Sequence, residues 1–556
     1  MSFMSSMGWI VITFLFFTIL VAVIAAVKTR NDDLKSAEGF FLAGRGLPGI
    51  VIAGSLLLTN LSAEQLVGTN GQAWATDMSP MGWELGAMLP LLVVGLFLIP
   101  MYLKMGVTTI PQLIEARFGR TTKILFSGMF VVMYSVLNLP VILYSGAVVF
   151  VDIFDLGSVI PVNRFTLVAI LCVVIGIIGG LYALCGGLKA VAVSDTINGI
   201  GLLASGMMVP VLALAVLGHE TSGGGILEGI QYMVQADPAK LNAWAAWDTP
   251  EPSMPWLLFF TGIFFTEIYW WGCNQSFVQR VLGAKSLKDA QQGTILCAIL
   301  KGVGFLYLAL PGVIAAFLPS IQEKIAAAGD SAIDFAYPAL ITAVIPKPLM
   351  GFFAAVLFGA ILSSFNSVLN SAATMFSLDL YRTIKPEAPD AKVVKIGQYY
   401  GVFAGVVSVV IAPFVMYASG ITTLLNTLVQ FACLPVLFAV LCAVIFRRAP
   451  HYTPILITVL HVVTYAVFLL VAPAYPTNGE PVHYLYFAFI QFVVEFVICW
   501  FLNKYKGTPE EWKPSTTFSS HDIEMTPWKY RWVGCGVTIA LLVFAYVLFS
   551  PVTLGI

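Results

Sequence analysis

The sequence is poor in charge. Only 10% of its 556 residues are Asp, Glu, Lys or Arg, against about 25% in an average soluble protein. With 59% hydrophobic residues and a mean hydropathy of +0.90, the chain lacks the polar surface of a water-soluble globule and reads as a polytopic membrane protein. A formal net charge of −1 argues against nucleic acid as a partner. Cysteines are few and scattered. Cys172, Cys185, Cys273, Cys297, Cys433, Cys442, Cys499 and Cys535 show no C-x-x-C spacing, so neither a metal site nor a disulfide framework is indicated. The phosphate-cradling G-x-x-x-x-G-K-[ST], the metalloprotease H-E-x-x-H and a dinucleotide-binding G-x-G-x-x-G after a strand are all missing. This leaves no support for an enzyme or for ATP-driven transport within the chain. Met1 to Trp9 holds no Lys or Arg, so the first apolar run is expected to be a retained span and not a cleaved signal.

What is abundant is apolar sequence of spanning length. A bilayer needs about 17–25 residues of helix, or somewhat more with tilt. Such segments lie near 8–27, 48–69, 80–103, 124–151, 165–186, 190–217, 255–279, 292–319, 346–380, 395–418, 420–446, 452–472, 480–503 and 530–551. The expectation is an all-α protein of about 14 transmembrane helices. Lys and Arg orient it. With the amino terminus outside, Arg164, Lys240, Lys324 and Lys347 fall on outer segments and Lys301 within a span. All the others of the 28 fall on inner loops or the inner ends of spans. By the positive-inside rule both termini face outward, the periplasmic side of a cell inner membrane. The outer connections 218–254 and 320–345 and the inner linker 504–529 are too short for a soluble domain, so 1–556 is one transmembrane unit.

Two spans are interrupted by polar residues. The first is Ser55–Gln65, where Thr59, Asn60, Ser62, Glu64 and Gln65 sit deep in an apolar segment. A bilayer offers no water to such groups, so they must face protein or line a cavity. The second, five spans later, holds Thr266, Glu267, Tyr269, Trp270, Trp271, Gly272, Asn274 and Gln275. Five helices is an odd number, so the second set is inverted relative to the first. Paired interruptions in inverted repeats point to a transporter site at the midplane. The repeats are expected over 48–217 and 255–446, with an extra helix at 8–27 and further helices over 452–551.

Several side chains carry chemistry. If the first interrupted helix unwinds near Thr59–Ser62, freed carbonyls become ligands for a hard cation. The amides of Asn60 and Gln65 both donate and accept, which suits a neutral polyhydroxylated solute. Lys301 needs an acid or a ligand, and Glu84 and Glu267 are the acids to test; functional and structural pairing are both open for these three. Ser363, Ser367 and Asn370 recur at i, i+4, i+7 on one helix face, near enough in type to complete an all-oxygen cage, although small-residue packing is an equal alternative. Asp195, near the inner end of its helix, is suited to attract a cation. Tyr269 and Trp270 offer faces to a sugar ring. His461 and Glu495 read as structural, as does Glu64. Asn60-Leu61-Ser62 fits a glycosylation pattern that a membrane-embedded site could not use.

Taken together these residues resemble the solute:sodium symporter family, and most closely its sugar branch. The likeness is carried by Phe40-Phe41-Leu42-Ala43-Gly44-Arg45, Asn60-Leu61-Ser62-Ala63-Glu64-Gln65, Tyr182-Ala183-Leu184-Cys185-Gly186-Gly187-Leu188-Lys189-Ala190 with Asp195, Asn274-Gln275 with Gln279-Arg280, and Ser363-Ser364 with Leu369-Asn370-Ser371 and Asp379-Leu380-Tyr381. It implies a LeuT-type five-helix inverted repeat with peripheral helices. It implies sodium as the coupling ion, held by the carbonyls of Leu58, Leu61 and Ala360 and the hydroxyls of Ser363 and Ser364. It implies sugar contacts from Asn60, Gln65, Glu84 and Lys301, and an ion path or second sodium site at Asp195, Asn366 and Ser367. Three positions depart from the branch. Glu267 stands where it has Asn, Trp270 where it has a gating Tyr, and Asn198 where it has Gln. The branch's sugar-binding Gln near the end of the core has Asn426, Thr427 or Gln430 as replacements. The expected function is sodium-driven uptake of a sugar or polyol across the lipid bilayer by alternating access, with no cofactor beyond sodium. Proton coupling and a sensor or passive channel are the alternatives.

Overall fold

The protein is described here by a computed structural model covering residues 3–154, 156–249, 251–329, 332–417, 421–471, 483–514 and 523–556, with no side-chain description at 3–7, 185, 421–424 and 426. Its regular elements are helices; the β-pairing among the described residues is three isolated bridges. Among the described residues, eleven helices are long and apolar enough to cross a membrane, or up to 13 if each of two bent pairs counts as one span. The expected count was fourteen. The difference lies in the segment near 255–279. It is broken at Cys273–Asn274, leaving helices of 11 and 8 residues that cannot cross a bilayer singly.

Nine helices build the centre. They are α1 (Gly49–Asn60), α2 (Ala63–Ala75), α3 (Met81–Met105), α4 (Gly186–Ser222), α5 (Gly262–Gly272), α6 (Gln275–Leu282), α7 (Leu287–Lys301), α8 (Phe305–Phe317) and α9 (Lys347–Ile384). α1 packs against α4, α7 and α9. The burial of the spans separates centre from periphery. The most apolar window of α9 is 78% buried, whereas those of Gly8–Thr29, Thr453–Val471 and Arg531–Leu548 are 11%, 28% and 28% buried. The outer faces of these three are the lipid-facing surface expected of a helix that is apolar all round.

The outer connections are helical in part. Ile226–Ala236 is a short helix within the 218–254 connection. Ala332–Val344 buries Tyr337, Leu340 and Ile341 and packs on α2. One glycine conformation is required by the chain path. Gly187 has φ +62°, and an added Cβ would lie 3.0 Å from the Phe40 carbonyl. That one residue turns a continuous apolar run into two spans.

A break between α7 and α8 was not anticipated from the unbroken apolar run 292–319. The two helices meet at 50°. Gly302 and Gly304 occupy the bend, and a Cβ on Gly304 would sit 2.3 Å from Glu84 Cγ. The chain is therefore glycine there because an acid side chain from α3 occupies the space. Gly304→Ala is expected to cost on the order of 1–3 kcal/mol through overpacking, or roughly a tenfold or greater loss of uptake through displacement of Glu84. Thermal unfolding and uptake of the variant would check this; unchanged values for both would contradict it.

Candidate functional site

The site starts from the two breaks. α1 ends at Asn60. Leu61 (φ −81°, ψ 96°) and Ser62 (φ −119°, ψ 179°) are extended, and α2 restarts at Ala63 at an angle of 59°. Leu61 N–H still bonds the Leu57 carbonyl at 2.9 Å, and Leu66 N–H the Ser62 carbonyl at 3.1 Å. Among the described residues no such bond links Ser62 N–H to Leu58 or Ala63 N–H to Thr59. Those carbonyls are released from the helix, as the polar sequence led one to expect. In the second break, the N–H groups of Cys273 and Asn274 both bond the Tyr269 carbonyl at 2.8 Å. Asn274 then caps α6, its Oδ1 accepting from Ser276 N–H at 3.1 Å and from Tyr134 O–H.

α9 runs beside the first break. Ser364 Oγ donates to the released Thr59 carbonyl at 3.1 Å, and the hydroxyls of Thr59 and Ser367 are 3.2 Å apart. Ser363 is buried, its hydroxyl without a partner among the described residues. Ala360 lies one turn before Ser364 on the same face. The residues implied as sodium ligands thus belong to two facing segments, a backbone stretch centred on Thr59 and a hydroxyl stripe on α9. Oxygen-only ligation of this kind suits a hard cation.

A second group centres on Lys301, at the last turn of α7. Its Nζ lies 2.6 Å from Glu84 Oε1 and donates to Asn60 Oδ1 at 2.6 Å. Glu84 Oε2 accepts from Gln65 Nε2 at 3.3 Å. Lys301 also sits over the Trp271 ring, 5.1 Å from its centroid, and Trp271 Nε1 donates to Glu267 Oε2 at 2.8 Å. Lys301 and Glu84 are 1% and 0% exposed. A buried pair like this persists only when further hydrogen bonds satisfy both ions, and here the amides of Asn60 and Gln65 supply them. Five residues singled out from the sequence therefore form one connected cluster.

The cavity beside this cluster is lined by Thr59, Asn60, Gln65, Glu267, Trp270 and Ser364. Glu64, Thr69, Trp83, Asn138, Ser276 and Phe277 complete its polar and aromatic wall. Tyr269 is not part of it. That ring is fully buried, with its hydroxyl 3.9 Å from Met133 Sδ; helical geometry turns it roughly 100° from Trp270. Gln430 is also buried elsewhere, its carbonyl facing His461 Nε2 at 3.0 Å. The carbonyl of Thr427 accepts from Tyr465 O–H at 3.0 Å. The side chain of Asn426 lies outside the described residues. Leu425 is the wall residue from that helix.

Asp195 meets a partner that the sequence reading placed on an inner loop. Arg280 is within α6 and fully buried. Its Nε donates to Ser55 Oγ at 2.9 Å, and Ser55 Oγ donates to Asp195 Oδ2 at 2.6 Å. The guanidinium lies 3.6 Å from that carboxylate and also donates to Ser367 Oγ and the Ser276 carbonyl. Asp195 and Ser367 are thus brought together, through Arg280. Asn366 is not joined to them by a contact; it lies against Gly179, where an added Cβ would be 3.2 Å from its Oδ1. The resemblance implies that Asn366 and Ser367 act together with Asp195; adjacent residues do not share a helix face, and of the two it is Ser367 that meets Arg280. His461 and Glu495 pair at 3.0 Å in the peripheral helices, away from the cavity wall.

The functional residues not singled out beforehand are Thr59 as an acceptor of Ser364, Asn138, Phe277 and Arg280. Asn138 was legible as an isolated amide in an apolar run. Arg280 was hidden because a cation near a span end looks like an inner-loop residue.

The family model described as "Sodium:solute symporter family" matches residues 40–453. The Escherichia coli (strain K12) protein "Uncharacterized symporter YidK" is 36% identical over 537 residues, covering 96% of this chain and 90% of that protein. The "Sodium/glucose cotransporter" of Vibrio parahaemolyticus is 31% identical over 414 residues, covering 71% and 74%. The "Sodium/myo-inositol cotransporter" of Mus musculus is 27% identical, covering 72% and 58%. In fold, the chain is similar to a Na+-coupled sialic acid symporter solved substrate-bound and outward-open, at a TM-score of 0.74 and 18% identity, covering 91% of this chain and 99% of that one. The LeuT-type architecture that the resemblance implies is therefore the observed one. This multi-pass membrane protein belongs to the sodium:solute symporter family, whose members are transporters that couple solute movement to sodium and not enzymes.

Proposed function

We propose that the protein takes up a sugar or related polyol together with sodium, by alternating access, through a cell inner membrane in which both termini face outward. The observation that carries this reading is the Asn60–Lys301–Glu84–Gln65 network, in which the buried ion pair holds the amides of Asn60 and Gln65 on the wall of a cavity next to the released carbonyls of α1. Hydroxyl-rich solutes need donors and acceptors held in fixed positions, and this network fixes them. Two of the relatives named above are a glucose and a myo-inositol cotransporter, in keeping with that chemistry. In this account Asn60, Gln65, Glu84, Glu267, Trp270 and Lys301 bind the solute. The carbonyls of Leu58, Leu61 and Ala360 and the hydroxyls of Ser363 and Ser364 bind sodium. Asp195 lies on the ion path. The repeats run over 48–217 and 255–446.

Coupling follows from the shared segment. Sodium at the break straightens and orders Leu58–Ser62, and Asn60 is part of that segment, so an occupied ion site presents the solute-binding amide in position. A tenfold sodium gradient contributes about 1.4 kcal/mol and 100 mV about 2.3 kcal/mol, together sustaining on the order of 500-fold accumulation of a neutral solute.

Ser364→Ala removes one sodium ligand and the donor to the Thr59 carbonyl. Half-saturating sodium is expected to rise about tenfold, with solute selectivity kept at saturating sodium. Sodium titrations of uptake in liposomes measure this; an equal loss of solute selectivity at saturating sodium would contradict the assignment.

A further inference from the structure

The wall of the cavity carries two acids, Glu64 and Glu267, and among the described residues no Lys, Arg or His. Lys301, behind the wall, is committed to Glu84 at 2.6 Å and to Asn60. Among the described residues neither Glu64 nor Glu267 has a Lys, Arg or His nitrogen within 4.0 Å. Glu64 has Ser145 Oγ at 3.3 Å, and Glu267 has the Trp271 indole. Glu267 is 9% exposed, and a carboxylate that buried is costly without a counter-charge.

The unpartnered atoms of the wall lean the same way. Gln65 Oε1 and Asn138 Oδ1 are buried acceptors with no hydrogen-bond partner among the described residues, set against one such donor, Trp83 Nε1. Asn138 itself is 4% exposed. Other donors near the wall are engaged: Gln65 Nε2 on Glu84, Lys301 on Glu84 and Asn60, Ser364 Oγ on Thr59. Trp270 and Phe277 stand in the same wall at 5.9 Å between centroids, edge to face, and aromatic faces attract cations. A wall rich in carboxylate and free acceptor oxygen, with aromatic faces, is complementary to a group that only donates and carries positive charge. An ammonium is such a group, with three donors and no acceptor.

We propose that the solute carried by this site bears a protonated amine beside its hydroxyls, an amino sugar or amino polyol in chemical class, and that Glu267 receives the ammonium. The inference rests on the reading of the cavity as a sugar or polyol site. It gives Asn60, Gln65 and the Lys301–Glu84 pair the hydroxyls, and Glu267 the amine.

The test uses the full-length protein in liposomes under an inward sodium gradient, with labelled glucosamine and labelled glucose as probes and N-acetylglucosamine as the uncharged competitor. Glucosamine uptake efficiency is expected to exceed that of glucose about tenfold or more, with N-acetylglucosamine competing weakly. Glu267→Gln is expected to reduce the glucosamine-to-glucose ratio about tenfold. Stabilisation of the wild-type protein against heat by glucosamine over glucose gives a readout independent of any variant. Equal uptake of the two sugars, glucose favoured over glucosamine, or a ratio untouched by Glu267→Gln would each overturn the amine assignment while leaving sodium-driven sugar uptake standing. Failure of every sugar and polyol, charged or neutral, would overturn both.

Discussion

Lys301→Met is expected to abolish solute uptake. The substitution keeps the length and apolar stem of the side chain but leaves Glu84, 0% exposed, as a buried carboxylate whose nearest cation is gone. Removing one partner of a buried pair costs about 3–5 kcal/mol. Expressed in a binding step, that is on the order of 10²–10³-fold or more. Two further contacts go with it, the bond to Asn60 and the placement over the Trp271 ring. Uptake in liposomes and thermal unfolding separate the two consequences. Adding Glu84→Gln to Lys301→Met removes the orphaned charge, so it should restore much of the stability and little of the uptake. Wild-type uptake by the single variant would show that the cluster does not touch the solute.

Arg280→Met is the second large effect. One guanidinium ties α6 to three other helices through Ser55 on α1, Asp195 on α4 and Ser367 on α9. These contacts lie on the amino-terminal side of the break in α1, the side that faces the cell interior in the proposed orientation. They hold α6, the second half of the other broken helix, against the bundle. Gln279 adds to the seal, donating to the Phe41 carbonyl at 2.7 Å and to Thr374 Oγ1 at 2.9 Å and accepting from Ser371 Oγ at 2.7 Å. Without Arg280 the buried Asp195 carboxylate keeps the Ser55 hydroxyl but loses its cation, again at about 3–5 kcal/mol. Thermal stability should drop, and uptake should fall on the order of 100-fold. Arg280→Lys should not rescue it, because a point charge cannot reach three partners that a planar fork spans. Arg280→Met with Asp195→Asn should recover stability. Unchanged stability in the single variant would mean that Asp195 is solvated and the network is not a seal.

The legible part of this molecule was what the bilayer enforces. Polar side chains have no other use for a position inside an apolar span, so Thr59–Gln65 announced both a broken helix and a cavity wall. The same logic tied Lys301 to an acid, and Glu84 is that acid. Backbone geometry was less legible where glycine sets it. The bend between α7 and α8 comes from Gly302 and Gly304 making room for Glu84, a tertiary demand that an apolar run does not display. Charge was misleading where it was buried. Arg280 looked like an inner-loop cation because position near a span end says nothing about whether two hydroxyls, a carbonyl and an acid are waiting for it. Neighbours in sequence also misled. Ser367 and Asn366 are adjacent, yet one meets Arg280 and the other Gly179. Tyr269 and Trp270 divide in the same way, one into the core and one onto the cavity wall.

The central claim is that sodium drives a sugar or polyol through the cavity beside the broken α1. Its most direct test is accumulation of labelled sugars and polyols, neutral and amine-bearing, by the purified protein in liposomes under an inward sodium gradient. The account predicts that at least one of them concentrates inside well above its external level, and that this stops when sodium is replaced by potassium or when the gradient is collapsed. No accumulation across the whole panel, or accumulation that survives sodium removal and falls only with a protonophore, would contradict it.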